Sequence, residues 1–454
     1  MISSISPTDG RLLAEYPETS ESDVQQHIER AAALQRDWEG TTIAQRAVPM
    51  MRLAELLEAH SEELSLMMTD EMGKPINQSY GEVDKCAWVC RHYAENAERI
   101  LESEHIAADR TKSYVAYRPL GVVLAVMPWN FPLWQVFRFL APALMAGNGG
   151  LLKHASNVTG SALWIDRLVV EAGFPDGLFR TLVLPSSRVD EVLEHPLVVA
   201  ATLTGSDPAG RAVASKAGSL LKKTVLELGG SDPYLVLADA DLAKAAETCA
   251  TSRLINGGQS CISAKRFIVE EPVVEEFTEL FAAGLSKAVM GDPRDPATTL
   301  GPMARTDLRD ELHDQVERSV ESGARLVFGG QVPDGPGAFY PATLLADVVK
   351  GMAVYHEETF GPVASVIAAK DVDDAVRIAN DTEFGLGAAV FTTDLEKGEA
   401  IARDRIQAGA CFVNAFVASD PRLPFGGIKM SGYGRELSDM GMREFLNAKT
   451  VVVA

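Results

Sequence analysis

Short apolar runs alternate with helical patterns along most of this chain, and that alternation constrains the fold more than any other feature. After Val122–Met127 come helix Trp134–Met145, strand Gly150–Lys153, helix Ala162–Ala172, strands Phe179–Leu184 and Val199–Thr204, helix Ala209–Leu221 and strand Thr224–Leu228. Strands that read as nearly continuous apolar segments are buried on both faces. Their alternation with helices implies a parallel sheet covered on both sides. The pattern resumes after Cys261 with strand Arg266–Val269, helices Val273–Val289 and Thr306–Gly323, strand Val363–Ala368, helix Val372–Asn380 and strand Ala388–Phe391. The expected class is α/β, with two such halves meeting near Glu227–Cys261.

The ends of the chain read differently. The first hundred residues look helical: apolar residues recur at helical spacing through Ala44–Met72, Gly73-Lys74-Pro75 stops that helix, and a second pattern runs from Val83 to Leu101. Ser113–Met127, rich in Val and Tyr and interrupted by Pro119-Leu120-Gly121, reads as strands. Thr450–Val453 is a lone strand in need of a sheet. At roughly 100–200 residues per domain, 454 residues suggest two or three domains.

A net charge of -21 argues against nucleic acid, which needs a basic footprint, and against an anionic membrane surface. It also means that any anionic substrate or cofactor phosphate requires local positive charge. The N-terminus lacks a charged segment followed by an apolar one, and runs such as Val122–Met127 fall far short of the ~20 residues that span a bilayer. Five scattered cysteines form no disulfide framework. A reducing cytoplasm is the simplest expectation.

Four segments carry chemistry. Asn256-Gly257-Gly258-Gln259-Ser260-Cys261 places one cysteine after flexible residues that allow close approach of a ligand. Cys86 and Cys90, four apart on an apolar helical face, read instead as buried structural thiols, and no second pair exists to make a metal site. Glu227 ends an apolar strand before two glycines, where a buried charge is costly unless it is paired or functional; the bland alternative is a glutamate at the rim. Pro128-Trp129-Asn130-Phe131-Pro132 is an apolar turn whose one amide either ties the turn together or aims a donor at a developing oxyanion. Leu203–Gly210 follows a strand and opens a helix, a weak pattern that suits phosphate at a helix N-terminus.

In this order, Pro128–Pro132, Lys153-His154-Ala155-Ser156, Leu203–Gly210, Glu227–Gly230, Gly257–Cys261, Glu357–Pro362 and Pro424-Phe425-Gly426-Gly427 through Ser431–Glu436 resemble the aldehyde dehydrogenase superfamily over essentially the whole chain. Within it the chain looks most like short bacterial NADP-dependent succinate-semialdehyde dehydrogenases. The resemblance implies two Rossmann-like parallel-sheet domains and a β oligomerisation arm. Residues 1–105 and 119–229 would bind cofactor, 230–432 would carry catalysis, and 106–118 with 433–454 would form the arm of a homodimer or dimer of dimers, extending a partner's sheet.

The same resemblance implies a mechanism. Cys261 attacks the aldehyde, Asn130 holds the oxyanion, hydride leaves for the nicotinamide, and Glu227 activates the water that hydrolyses the thioester, with no metal. A phosphorylating or CoA-acylating relative would need such a base less, and a non-catalytic relative would not need Cys261, Glu227 and Asn130 together. Cofactor contacts carry over to Trp129, Lys153, His154, Ala155, Ser156, Gly205, Ser206, Leu228, Glu358 and Phe360. Ser156 stands where many NAD-specific relatives have a glutamate that repels a 2′-phosphate, so NADP is expected over NAD. For the substrate, Arg138 lies amid Trp134, Phe137 and Phe139, where an unpaired guanidinium is expensive and suits a carboxylate. With Trp134 and Ser419 it would read the anionic tail of succinate semialdehyde, or of glutarate semialdehyde; the alternative is that it pairs with a protein carboxylate such as Asp420.

Overall fold

The computed structural model describes all 454 residues. A six-stranded sheet runs in the order Gly432–Tyr433, Lys223–Glu227, Val198–Thr204, Val122–Met127, Gly149–His154 and Phe179–Thr181. All its pairings are parallel except that of Gly432–Tyr433. Val122–Met127 occupies the middle because it has no polar side chain to leave unpaired. Its successive residues point to opposite faces, as a pleated strand demands. Val123, Ala125 and Met127 pack with helices Trp134–Met145 and Ile76–Ile100. Val122 and Leu124 pack with helices Glu21–Glu39 and Asp207–Ser219.

A seven-stranded sheet follows the order Arg325–Phe328, Thr343–Ala346, Val363–Ala369, Arg266–Glu270, Pro233–Val236, Gly387–Phe391 and Ala410–Val413, parallel except at its first pair. It too is buried on both sides: Leu235, Ile268, Ile367 and Val390 enter one core, and Tyr234, Val236, Phe267 and Val366 the other. Two covered parallel sheets were the expectation, and both are present.

The C-terminal strand, which needs a sheet to join and which the resemblance places in an arm with residues 106–118, has its partner in its own chain. Leu446–Val453 pairs antiparallel with Lys112–Pro119, from Leu446 opposite Pro119 to Val453 opposite Lys112, and Glu104–His105 adds a third strand. Leu446–Val453 is the edge of this small sheet. Tyr433, expected in the arm, instead belongs to the six-stranded sheet, opposite Leu226.

Three further expectations are corrected. The first hundred residues are not all helical: Ile2–Ile5 and Leu12–Tyr16 form a hairpin. The inward positions of its first strand are Ile2 and Ser4, so half of its buried face carries no apolar signal. The single helix expected over Ala44–Met72 is two, Ile43–Ala59 and Ser61–Met72, broken at His60 (φ -105°, ψ 23°). Both bury apolar faces, so the periodicity runs on across the break, and Gly73 caps the second as expected. The helix expected over Val273–Val289 is Val274–Leu285. Strands Pro233–Val236, Arg325–Phe328, Thr343–Ala346 and Ala410–Val413 are four residues each, too short for periodicity to declare them. No helix is long and apolar enough to cross a membrane.

Candidate active site

Helix Leu242–Leu254 delivers the chain into a tight turn in which Asn256 (φ 53°), Gly257 (φ 60°) and Gly258 (φ 75°) are all left-handed. A Cβ on Gly258 would stand 2.2 Å from the Gly361 carbonyl oxygen, so only glycine fits. The buried Arg253 guanidinium donates to the Gly258 and Ala264 carbonyls at 2.6 and 2.8 Å. Lys265 Nζ donates to the Ser260 and Cys261 carbonyls at 2.9 and 2.7 Å. Two buried cations therefore hold the loop that presents Cys261.

Asn130 lies against the same loop. Its Nδ2 donates to the Gln259 carbonyl at 3.2 Å, and Asn256 Nδ2 donates to the Asn130 and Gln259 carbonyls at 2.7 and 3.0 Å. Behind the turn, Glu82 Oε1 accepts from the Leu133 and Trp134 backbone N–H groups at 2.8 and 2.9 Å, and Lys74 neutralises Glu82. The Asn130 amide thus ties the turn to the cysteine loop, and its second N–H remains for a ligand.

Cys261 opens into a cavity of about 780 Å³ whose wall includes Phe131, Trp134, Arg138, Phe416, Phe425, Lys85 and Ser419. Burial pushes the thiol up to about 12, with Arg138 and Lys265 pulling the other way. The thiolate is the nucleophile, and Arg138 and Lys265 are the groups that favour it over the neutral thiol. Glu227 ends strand Lys223–Glu227, opposite Thr204 on one side and Gly432 on the other. A Cβ on Gly432 (φ 112°) would stand 2.0 Å from the Leu226 carbonyl oxygen, which reserves that crossing for glycine. The Glu227 carboxyl is buried and neither oxygen has a hydrogen-bond partner. Burial first, and then Glu436, hold it well above the usual carboxylate range against the pull of Arg138 and Arg435. A carboxylate so raised is a stronger base near neutral pH.

Arg138 reaches the cavity wall, as the substrate reading requires, but its charge is already paired. Nη2 stands 2.7 Å from Glu436 Oε2, with both side chains buried. The contact is an ion pair without hydrogen-bond alignment, and it leaves Arg138 Nε without a partner. Asp420, the carboxylate weighed as its alternative, pairs with Arg422 at 2.5 Å. Trp134 and Ser419 both line the cavity.

A second cavity, of about 760 Å³, lies over the ends of the six-stranded sheet and is lined by Trp129, Lys153, Ala155, Ser156, Gly205 and Ser206. Lys153, at the end of strand Gly149–His154, is buried, and its Nζ donates only to Ser186 Oγ, at 3.1 Å. Ser206 is the N-cap of helix Asp207–Ser219, so the free N–H groups of that first turn face the glycine-containing loop. An uncompensated buried cation beside a helix N-terminus fits a dinucleotide's phosphates.

The remaining cofactor candidates stand apart from this wall. His154 is buried, with Nε2 donating to the Pro132 carbonyl at 2.8 Å and Nδ1 accepting from the Ala155 N–H at 2.9 Å. Burial pushes it down to about 4, so it is neutral and braces the Asn130 turn. Leu228 is buried in the core, where a Cβ on Gly210 would stand 2.5 Å from its Cδ2. Glu358 accepts from the Gly230 N–H at 3.0 Å and pairs with Lys265 at 3.2 Å. Phe360 meets Trp129 edge to face, with ring centroids 5.7 Å apart.

Sequence reasoning missed the braces. Glu82 with Lys74, and Glu436, each act on a site residue from a distant part of the chain, and Lys265 turns back onto Cys261 from four residues on. Glu436 falls inside a motif quoted above, but nothing local shows that it meets Arg138. Lys85 was missed because a lysine on an amphipathic helix reads as solvent-facing.

The aldehyde dehydrogenase family model matches residues 1–451. The succinate-semialdehyde dehydrogenase [NADP(+)] of Mycobacterium avium is 50% identical over 454 residues, covering 99% of this chain and 96% of that protein. The succinate semialdehyde dehydrogenase [NAD(P)+] of Escherichia coli is 48% identical, covering 99% of this chain and 97% of its own. Among solved structures, the succinic semialdehyde dehydrogenase of Streptococcus pyogenes in complex with NADP+ superposes with a TM-score of 0.98 at 37% identity, covering 100% of both chains. This chain belongs to the aldehyde dehydrogenase family.

Proposed function

We propose that this enzyme oxidises succinate semialdehyde to succinate with NADP. The observation that carries the substrate is the cavity itself: Cys261 opens into a chamber walled by Phe131, Trp134, Phe416 and Phe425 that also holds the cations Lys85 and Arg138 and the Ser419 hydroxyl, inside a chain of net charge -21. A small aldehyde with an anionic tail matches that distribution, and two relatives near 50% identity carry the same activity in their names.

Cys261 Sγ, once deprotonated, bonds to the aldehyde carbon. Asn130 Nδ2 donates to the oxygen as it gains charge, a contribution of ~3–4 kcal/mol for donors of this kind. Lys153, Ser156 and the N-terminus of helix Asp207–Ser219 would hold NADP, which would supply the acceptor for the hydride of this adduct. A thioester on Cys261 remains, and Glu227 takes a proton from the water that attacks it. A raised carboxyl with no competing hydrogen bond suits that role and favours hydrolysis over transfer to phosphate or CoA.

NADP is favoured by Lys153 and by Ser156, an exposed hydroxyl at the rim where no carboxylate opposes a 2′-phosphate. We assign a homodimer or dimer of dimers, because Leu446–Val453 presents an unpaired strand edge to the outside. Five unpaired cysteines suit a reducing cytoplasm. The deciding experiment is steady-state kinetics over C2–C6 aldehydes and semialdehydes with NAD and NADP. The highest kcat/KM is expected for succinate semialdehyde with NADP. Equal values for butanal, or an NAD preference, overturn the corresponding part of the assignment.

A further inference from the structure

We infer that Lys85, on helix Ile76–Ile100, is the cation that binds the carboxylate tail of the substrate, with Ser419 as its second donor and Trp134 as its wall. The inference rests on the reading of the substrate as an anionic aldehyde and assigns the residue that recognises the charge.

Gln78, Gly81, Glu82 and Lys85 all line the cavity that holds Cys261. Their spacing of three and four residues places them on one face of the helix, which borders the cavity, with Gly81 exposed and Lys85 half-buried at its opening. Lys85 Nζ donates to Ser419 Oγ at 2.9 Å and stands 4.5 Å from the centre of the Trp134 ring. One of its three N–H donors is thus in use and two are left for a ligand.

The nearby carboxylates are all committed elsewhere. Glu82 is neutralised by Lys74 and accepts two backbone N–H groups. Asp420 pairs with Arg422, and Glu436 with Arg138. Lys85 makes no ion pair with any carboxylate of the chain, while Arg138 does. Diverting Arg138 to a substrate would strip the counter-charge from Glu436, which lies close enough to Glu227 to push it upward. A half-buried ammonium with no counter-ion carries part of the cost of desolvation, and a carboxylate ligand relieves it. Arg138 then has the separate task of compensating the Glu227–Glu436 pair.

The test uses the intact enzyme and the ratio of kcat/KM for succinate semialdehyde to that for butanal, which has the same four carbons without the charge. Lys85→Met keeps the length of the side chain and removes the charge. The ratio should fall at least tenfold, carried by a higher KM for the semialdehyde, and Lys85→Arg should restore part of it. A Lys85→Met enzyme that keeps the wild-type ratio overturns the inference. If the wild-type enzyme itself shows no preference for the charged aldehyde, the substrate assignment fails first and the inference with it. A Lys85→Met variant that does not fold leaves Lys85→Gln and the Lys85→Arg comparison to decide by the same ratio.

Discussion

Replacing Arg138 by methionine should damage the fold and the base together, whatever aldehyde is offered. The guanidinium and the Glu436 carboxylate are 2% and 5% exposed and 2.7 Å apart. Removing one member of a buried pair leaves the other charge without compensation, which costs about 3–5 kcal/mol. Urea unfolding at a fixed protein concentration should register a loss of that size. The double variant Arg138→Met with Glu436→Gln removes both charges and should recover at least half of it, because a neutral pair has no orphaned ion. Burial and Glu436 already hold Glu227 high, and Arg138 is the leading counterweight, so its loss raises both carboxyls further. A base must be ionised to act, so the acid limb of kcat should move to higher pH. kcat/KM should fall comparably for succinate semialdehyde and butanal. An Arg138→Met enzyme with wild-type stability that loses only the semialdehyde would refute this account and return the tail-reading role to Arg138.

Three other outcomes follow from the geometry. Cys261→Ala should lose dehydrogenase and esterase activity to baseline, while Glu227→Gln should release a burst of NADPH of about one per site and then turn over ~10²–10⁴-fold more slowly, the usual worth of a general base; stopped-flow absorbance reads both, and steady turnover in Cys261→Ala defeats the assignment. Ser156→Glu should reverse the cofactor preference: like charges ~4 Å apart cost about 1 kcal/mol in water and about 4 kcal/mol at an effective dielectric of 20, and since Ser156 is exposed at the rim, kcat/KM for NADP should fall roughly tenfold to a hundredfold. Burial and then Arg138 push Lys85 down to about 8, with Cys86, Glu82 and Asp420 pulling up. Its ammonium, the form that attracts a carboxylate, is therefore lost as pH rises through about 8, and the semialdehyde-to-butanal ratio should decline from there, whereas a ratio flat from pH 7 to 10 contradicts it. Taking the ratio cancels the titration of Cys261, which affects both substrates alike.

The sequence by itself determined the architecture of the two parallel sheets. Buried parallel strands must be apolar on both faces, and that leaves an unmistakable run such as Val122–Met127. It also singled out Cys261, Glu227 and Asn130, because a cysteine after two glycines, a glutamate ending an apolar strand and an amide in an apolar turn are each out of place unless something uses them. It gave no warning of the hairpin Ile2–Ile5 with Leu12–Tyr16, whose inward face is half serine, or of the break at His60, across which the apolar period continues. Only the tertiary structure decided how the charges are paired. Arg138 reads as a guanidinium in need of an anion, and only the fold brings Glu436 back to it from 298 residues away; only the fold sets the helix face of Lys85 beside the cavity of Cys261. Apolar periodicity is a local property of the chain and is written along it. The partner of a buried charge is set by which distant segments the fold brings within a few ångströms, and no local pattern records that.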